Sequence, residues 1–214
     1  MLTEIKTDIH HYFIDENYLR QGVFKSYFSN GQLMHHFFYI NDKLHGEHKS
    51  YHYNGQLYIH TFFQNGKQHG EYVSYYKNGQ LLDHSFYING NRHGEYKYFH
   101  ENGQLMDHSC FINNKLHGEY MSYYENGHPC THAFYQNGNY HGEYKAYYEN
   151  GQLREHSFYQ NDNQHGEYRV YASNGKQFAK TFFYQGNDLK VDPDTLTEQD
   201  ILYIMMSGRL PPRD

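Results

Sequence analysis

Histidine is the residue type that most strongly suggests chemistry in this sequence, because 19 of the 214 residues are histidine. Most of them belong to two rows that recur every 24 residues, and one row opens a repeated His-Gly-Glu motif. The motif row is His45, His69, His93, His117, His141 and His165, and the second row is His36, His60, His84, His108, His132 and His156. Imidazole and carboxylate groups are metal ligands and acid–base catalysts, so each repeat offers parts of such a site.

The spacing of these rows argues against both kinds of site. Ligands of one metal ion lie about 2 Å from it, whereas equivalent residues of successive hairpins lie two strand spacings apart, roughly 9.6 Å. Within one repeat, we expect the two histidine rows on opposite sides of a loop. We expect the glutamates of the motif to be dispersed and solvated: Glu47, Glu71, Glu95, Glu119, Glu143 and Glu167. The sequence therefore predicts packing and loop hydrogen bonds for these residues, with no catalytic residue, no metal site and no cofactor.

The histidine rows also predict a dependence on pH. Protonation near pH 6.5 would add positive charges along each row and would overtake the net charge of −6. We therefore expect lower stability or altered self-association near pH 5.5, most clearly at low salt.

The remaining composition limits the partners and the compartment. A net charge of −6 without a Lys/Arg cluster argues against nucleic acid and anionic membranes. No apolar run is long enough to span a membrane, and residues 1–20 do not resemble a signal peptide. Cys110 and Cys130 fall on strands separated by a third strand, about 10 Å apart and beyond disulfide reach. Two unpaired thiols favour the cytoplasm, or the host cytoplasm if the source is viral.

A 24-residue repeat organises the chain. Asn-Gly dipeptides begin at Asn30, Asn54, Asn78, Asn102, Asn126, Asn150 and Asn174. In the unit at residues 69–92, Asn78-Gly79 predicts a short hairpin turn between segments 71–76 and 81–88, since both residues tolerate positive φ. The second connection, residues 89–94, is longer, and its second position predicts left-handed backbone in every copy: Asp42, Gly66, Gly90, Asn114, Gly138 and Asp162.

These units predict an all-β fold, an elongated and twisted antiparallel meander of tandem β-hairpins. We expect about fourteen strands plus one near residues 9–14. Residues 1–20 would form an N-terminal cap with a degenerate strand, residues 21–187 seven repeats, and residues 188–214 a capping helix and tail. Thr197 is the expected N-cap of that helix and Gly208 its stop. The helix would cover the last strand edge, or alternatively dock elsewhere.

Strand alternation predicts aromatic rows on both faces of the sheet. Tyr72 and Ser74 would share one face and Tyr75 the other, while Leu81 and Tyr87 would lie opposite His84. The candidate binding residues are Tyr72, Tyr75, Tyr96, Tyr120, Tyr123, Tyr144, Tyr147 and Tyr168. Two interpretations stay open: the rings are the core of a thin sheet, or one row is an open binding groove.

The motif Y-x-x-Y-Y-x-N-G-Q-L…F-Y-x-N-G-x-x-H-G-E resembles MORN repeats, specifically the second MORN variant of many bacterial and giant-virus proteins. The resemblance covers residues 21–184. G-E-Y replaces the G-x-G of the original pattern, and this departure weakens the membrane role of the original family. The resemblance implies an extended hairpin ribbon for protein–protein contact or scaffolding, and it carries over no catalytic residues.

The sequence therefore predicts a non-enzymatic module that binds a protein partner of unknown identity, either another protein or a second copy of itself. One alternative is a carbohydrate-binding repeat protein with stacked aromatic platforms. Another is an antitoxin-like inhibitor of a partner protein, as some relatives in the resembled family are described.

Overall fold

A computed structural model describes residues 1–212. These residues form two compact units, the first from Met1–Leu105 with Phe111–Asn114 and the second from Met106–Cys110 with the chain from Lys115 onward. They contain 18 strands, one short 3-10 helix and one α-helix. None of the helices in this part of the chain has the length and apolar character that crossing a membrane requires.

The first unit is a run of antiparallel strands in chain order. Its strands are β1 (Thr3–Lys6), β2 (His10–Ile14), β3 (Arg20–Tyr27), β4 (Leu33–Ile40), β5 (Lys43–Tyr51), β6 (Leu57–Gln64), β7 (Lys67–Tyr75), β8 (Leu81–Ile88) and β9 (Asn91–Phe99). Each strand from β1 to β8 pairs with the strand that follows it. Aromatic and β-branched residues favour these extended segments.

The second unit repeats the same arrangement. Its strands are β10 (Leu105–Ile112, of which Met106–Cys110 belong to this unit), β11 (Lys115–Leu116), β12 (Gly118–Tyr123), β13 (Pro129–Gln136), β14 (Asn139–Tyr147), β15 (Leu153–Gln160), β16 (Asn163–Tyr171), β17 (Gln177–Tyr184) and β18 (Asn187–Asp188). Consecutive strands from β12 to β18 pair antiparallel, and β10 pairs with β12. The predicted all-β meander of tandem hairpins is confirmed. The strands beyond the expected number are β1, β18 and the short β11.

The Asn-Gly turns are three-residue loops. Tyr76 N–H donates to Gln80 O, and Gly79 N–H donates to Tyr76 O. Gly79 has a φ of 86°, whereas Asn78 is not in the left-handed region, so the expectation of positive φ at both residues was wrong. Asn78 instead uses its side chain, whose Oδ1 accepts a hydrogen bond from Gln80 N–H at 2.9 Å. This geometry is a type I turn closed by a left-handed glycine.

The other connection is shorter than the sequence indicated. Ile88 pairs directly with Asn91, which leaves a two-residue turn of Asn89 and Gly90, both at positive φ. Two left-handed residues define a type I′ turn, which matches the twist of antiparallel strands. Left-handed backbone at the second position is confirmed in all six copies: Asp42, Gly66, Gly90, Asn114, Gly138 and Asp162.

The His-Gly-Glu motif lies inside a strand, not in the loop where the sequence analysis placed it. The register changes from Ser85↔Tyr96 to Tyr87↔Arg92, so residues 93–95 of β9 together oppose Phe86. Gly94 has a φ of 94° there. Such a strand distortion is a β-bulge, and glycine adopts its positive φ at little steric cost.

A second bulge lies at the other end of each hairpin. Ser74 pairs with Asp83 but Tyr75 pairs with Leu81, so Leu82 is the extra residue. Because cross-strand partners share a face, Leu81 lies with Tyr75 and not with Tyr87 as predicted. The bulge reverses the side-chain alternation at the strand end.

The C-terminal helix α1 (Glu198–Ser207) has the predicted ends. Thr197 is its N-cap in a capping box with Asp200, and Gly208 adopts left-handed backbone at its C-terminus. A 3-10 helix (Pro193–Thr195) precedes it. Ile204 is fully buried, and Met205 Sδ lies 3.1 Å from His165 Nε2. The helix therefore packs on the last hairpins of the second unit.

The loop asparagines also connect successive repeats. Asn54 Nδ2 donates to Lys77 O at 3.2 Å, and its Oδ1 accepts from Gln56 N–H at 3.1 Å. Equivalent bonds are made by Asn30, Asn78, Asn126 and Asn150. Replacing Asn54 by alanine removes both bonds, and we expect it to lower the free energy of unfolding by about 1 kcal/mol in urea titrations.

Lys77→Ala is the matched control for this prediction. It removes an exposed side chain but keeps the carbonyl that Asn54 binds, so its effect should stay within about 0.5 kcal/mol of wild type. Equal losses in the two variants would contradict a role for the inter-repeat bond.

Candidate functional site

One face of each unit, the tyrosine face, carries Tyr72, Ser74, Asp83, Ser85, Tyr87 and their equivalents in other repeats. Its centre is a floor of small buried residues: Ser26, Ser50, Thr61, Ser74, Ser85, Ser109, Ala133, Ala146 and Ser157. Small side chains leave room for the flanking rings to lean over them, as the sequence predicted.

A repeated pair of rings covers this floor. Tyr72 and Tyr87 meet edge to face with centroids 5.9 Å apart. The same arrangement recurs at Tyr96–Phe111, Tyr120–Tyr135, Tyr144–Tyr159 and Tyr168–Phe183, all between 5.6 and 5.8 Å. This geometry is the favoured one for aromatic pairs. Five of the eight predicted binding residues therefore form one series of half-buried rings.

The hydroxyl groups of these rings are poor nucleophiles and bases at neutral pH. Burial raises the pKa of Tyr72, Tyr144 and Tyr168, which keeps their phenols protonated. Burial also raises the pKa of Tyr120, whose hydroxyl donates to Asp107 Oδ1 at 2.7 Å. The phenols are therefore suited to packing and to donating hydrogen bonds.

Acidic groups on the tyrosine face occur singly. Asp83 is only 7% exposed, and burial raises the pKa of its carboxyl group. Ser85 Oγ donates to Asp83 Oδ1 at 2.9 Å, and Arg92 approaches its other oxygen at 3.7 Å. Arg92 also lies over the ring of Tyr96, 4.8 Å from the centroid. This arrangement fixes a buried charge within the ring series.

The opposite face, the histidine face, carries Glu71, Val73, His84, Phe86 and their equivalents. His84 Nε2 lies 2.9 Å from Glu71 Oε1. The same contact, at 2.8–2.9 Å, joins His60 to Glu47, His132 to Glu119 and His156 to Glu143. These four glutamates stay one per repeat and partly exposed, as the sequence predicted, and strand pairing also brings each of them beside an imidazole of the second row.

Lysines complete several of these contacts. Lys49 Nζ lies 2.7 Å from Glu47, and Lys145 Nζ lies 2.8 Å from Glu143. These lysines are the main reason that the pKa of each glutamate is lowered, with a smaller contribution from the histidine. The result is a chain of short ion pairs along the strands.

A His–Glu pair can hold or transfer a proton, and acid–base catalysis also requires a substrate bound within hydrogen-bond reach of it. Phe86 packs against the imidazole of His84, with centroids 5.1 Å apart. Within residues 1–212, no group of three or more His, Cys, Asp or Glu residues is placed to hold a metal ion. Cys110 and Cys130 are free thiols on β10 and β13, which both pair with β12.

The other three predicted binding residues lie on the histidine face. Tyr123 and Tyr147 line a cavity of about 230 Å³ with Met121 and His132. Tyr75 occupies the equivalent place in its own repeat. The eight tyrosines therefore do not form one site, because Tyr72-type and Tyr75-type rings lie on opposite faces.

Two further cavities on the histidine face were missed from the sequence. Val23, His36, Phe38, His45 and Glu47 line one of about 290 Å³. The other, of about 390 Å³, is lined by His156, Phe158, His165, Gly166, Glu167, Phe182, Ile201 and Met205. Both linings contain the His-Gly-Glu motif. This motif could have indicated the two cavities if its place inside a strand had been known.

Comparisons with solved structures give little further guidance. A chain of the alternansucrase–isomaltononaose complex is 15% identical, with 90% of this chain and 16% of that chain covered and a TM-score of 0.23. A chain in the crystal structure of TcdB2-TccC3-Cdc42 is 11% identical, with 84% and 12% covered and a TM-score of 0.22. This chain spans less than a fifth of the length of either chain. Both TM-scores are too low to indicate a shared fold. A comparison with curated proteins found no match.

The model of one protein family, the MORN repeat variant, matches six successive parts of the sequence. The matched residues are 20–41, 44–65, 68–89, 92–113, 116–137 and 140–161. Each match contains one Asn-Gly loop and the strands on both sides of it. Because these matches cover more than half of the residues, the chain belongs to the MORN repeat variant family.

Proposed function

We propose that this chain is a non-enzymatic module that binds another protein along its aromatic faces. MORN repeats are consistent with a repeat protein for protein or membrane interactions. The observation that carries the proposal is the presence of half-exposed rings on both faces of the hairpins. A sheet with one face covered by a second layer would bury such rings.

Exposed apolar side chains support this interpretation. Phe38 and Tyr58 are 39% and 40% exposed, and Ile88, Met106 and Ile112 are also exposed. Apolar groups that recur along a surface mark places where a partner excludes water. Tyrosine contributes because its ring packs while its hydroxyl group binds polar atoms.

The chemistry of both faces favours binding over catalysis. The tyrosine face offers protonated phenols over a floor of small residues, and the histidine face offers short His–Glu contacts beside phenylalanine rings. We propose Tyr123 and Tyr147 as contact residues, because they line a cavity open to a partner. Free thiols at Cys110 and Cys130 favour a cytoplasmic place of action.

Site-specific photo-crosslinking in the native host tests this proposal. A photoreactive amino acid at Tyr147 should capture a protein that then binds the purified chain in calorimetry. Tyr147→Ser should weaken that binding by at least about tenfold, since it removes a half-buried ring from the contact.

Glu149→Ser is the matched control, since Glu149 is exposed in the adjacent loop and lies outside the cavity. It should leave affinity within about twofold of wild type. Capture of no protein at Tyr147, or equal losses in both variants, would show that this part of the face is not a contact surface.

A further inference from the structure

Two cavities on the histidine face share five lining positions, 120 residues apart in the sequence, while the rest of each lining differs. His36, Phe38, His45, Gly46 and Glu47 line the cavity in the first unit. The equivalent residues five repeats later line the cavity in the second unit: His156, Phe158, His165, Gly166 and Glu167. The same repeat positions therefore form a cavity in both units, and the two cavities differ in what covers them.

In the second unit, helix α1 covers this surface. Ile201 and Met205 complete the cavity lining, and Ile204 between them is fully buried. Phe182 beneath the helix is only 3% exposed, whereas Phe62, five repeats before it, is half-buried and Phe38, six repeats before it, is 39% exposed. The surface thus accepts apolar side chains at helical positions i, i+3 and i+4.

Charged contacts accompany this packing. Asp194, before the helix, lies 2.5 Å from Arg169, and Asp192 lies 2.7 Å from Lys180. Arg169 also contacts Glu167 at 3.0 Å. A carboxylate segment leading into the helix therefore binds the basic residues at the edge of the surface.

The first unit repeats one of these two basic positions beside its open cavity. Lys49 stands at the position of Arg169 and contacts Glu47 at 2.7 Å, as Arg169 contacts Glu167. His60 stands at the position of Lys180. An incoming acidic segment would therefore find a cation at the place where Asp194 finds Arg169.

We propose that the cavity of Val23, His36, Phe38, His45 and Glu47 binds an amphipathic helix of a partner protein. The helix presents isoleucine, leucine or methionine at positions i, i+3 and i+4, and acidic residues precede it. This inference deepens the proposed function, on which it rests, by naming the surface and the class of partner. The chain's own residues 192–205 serve as the template.

The test uses the full-length protein and a fluorescent synthetic peptide of residues 190–208 as the probe. We expect saturable binding in fluorescence anisotropy, with a dissociation constant on the order of 10–100 μM because the buried area is small. Phe38→Ser should weaken binding at least about tenfold. Lys49→Glu should weaken it several-fold and more at low salt.

Two controls make the result specific. Tyr53→Ser removes an exposed ring outside the cavity, so it should leave the affinity unchanged. A peptide with Ile201→Ser and Met205→Ser should not bind. Circular dichroism checks folding, and Val23→Ser replaces Phe38→Ser if that variant does not fold.

Three outcomes would overturn the inference. The first is the absence of saturable binding. The second is binding that Phe38→Ser and Lys49→Glu do not change, which would indicate exchange with the chain's own helix. The third is a peptide-dependent rise of the sedimentation mass to that of two chains, which would indicate that the peptide bridges two copies. Failure here, with a partner still captured at Tyr147, would leave the proposed function intact.

Discussion

Replacing Gly142 by alanine is expected to lower the free energy of unfolding by about 3 kcal/mol. Gly142 occupies the His-Gly-Glu bulge of β14 with a φ of 113°, where a residue with a side chain is strained. A Cβ atom there would also meet Phe134 Cβ at 3.2 Å. Urea unfolding followed by circular dichroism at pH 7.5 measures the loss, and hydrogen exchange of β13–β15 should locate it.

Gly118 provides the matched control, because it has the same motif position in the same unit. Its φ is 85°, but nothing lies within 4 Å of an added Cβ atom. Gly118→Ala should therefore cost only the backbone strain, about 1–2 kcal/mol. If the two variants lost the same stability, the contact with Phe134 would not explain why glycine is needed at position 142.

Structural features that depend only on neighbouring residues could be predicted from the sequence. The left-handed turn residues were predictable, because Asp42, Asn114 and Asp162 differ chemically yet all tolerate positive φ. That preference is local and can be inferred from residue type alone. The N-cap at Thr197 was predictable for the same reason, since its capping box lies within four residues.

Features that depend on strand register were not predictable in the same way. The bulge at Gly94 lies opposite Phe86, whose Cβ would be 4.0 Å from a Cβ atom added to the glycine. From the sequence, this glycine was expected in a loop, because Gly and Asn cluster in residues 89–94. Only the observed pairing shows that the turn is two residues long.

The contact of Glu71 with His84 depended on the same register. Once the bulge is inside the strand, the carboxylate moves beside the imidazole of the neighbouring strand. A signal was present, because the same 13-residue separation recurs at Glu47–His60, Glu119–His132 and Glu143–His156. Constant separation across strands can indicate a pair even when the register is unknown.

Lowering the pH from 7.5 to 5.0 is expected to reduce the free energy of unfolding by about 1–2 kcal/mol, through buried histidines of the first unit. Burial lowers the pKa of His48 to about 4, with a smaller contribution from the charge of His35. Burial also lowers the pKa of His35. Below pH 6.5 the unfolded chain binds protons at both residues. The folded chain binds them only at lower pH, near pH 4 for His48, so stability is lost as the pH falls through this window.

The surroundings of His48 explain this effect. Its ring stacks on Phe37 with centroids 5.0 Å apart. Its titratable neighbour is His35, which lies on the adjacent strand β4. Thr61 and Phe63, which do not titrate in this range, face it from β6. The Nδ1 atoms of His35 and His48 are buried and without a hydrogen-bond partner, so added charge there is costly.

We expect the histidine rows to contribute less to this pH dependence than the buried histidines do. His60, His84, His132 and His156 each lie beside a carboxylate, which offsets repulsion along the row. His48→Tyr separates the two explanations, because tyrosine stands at this position in five later repeats and does not titrate near pH 6. The variant should lose roughly half of the pH dependence in urea titrations. An unchanged dependence would instead assign the effect to the rows.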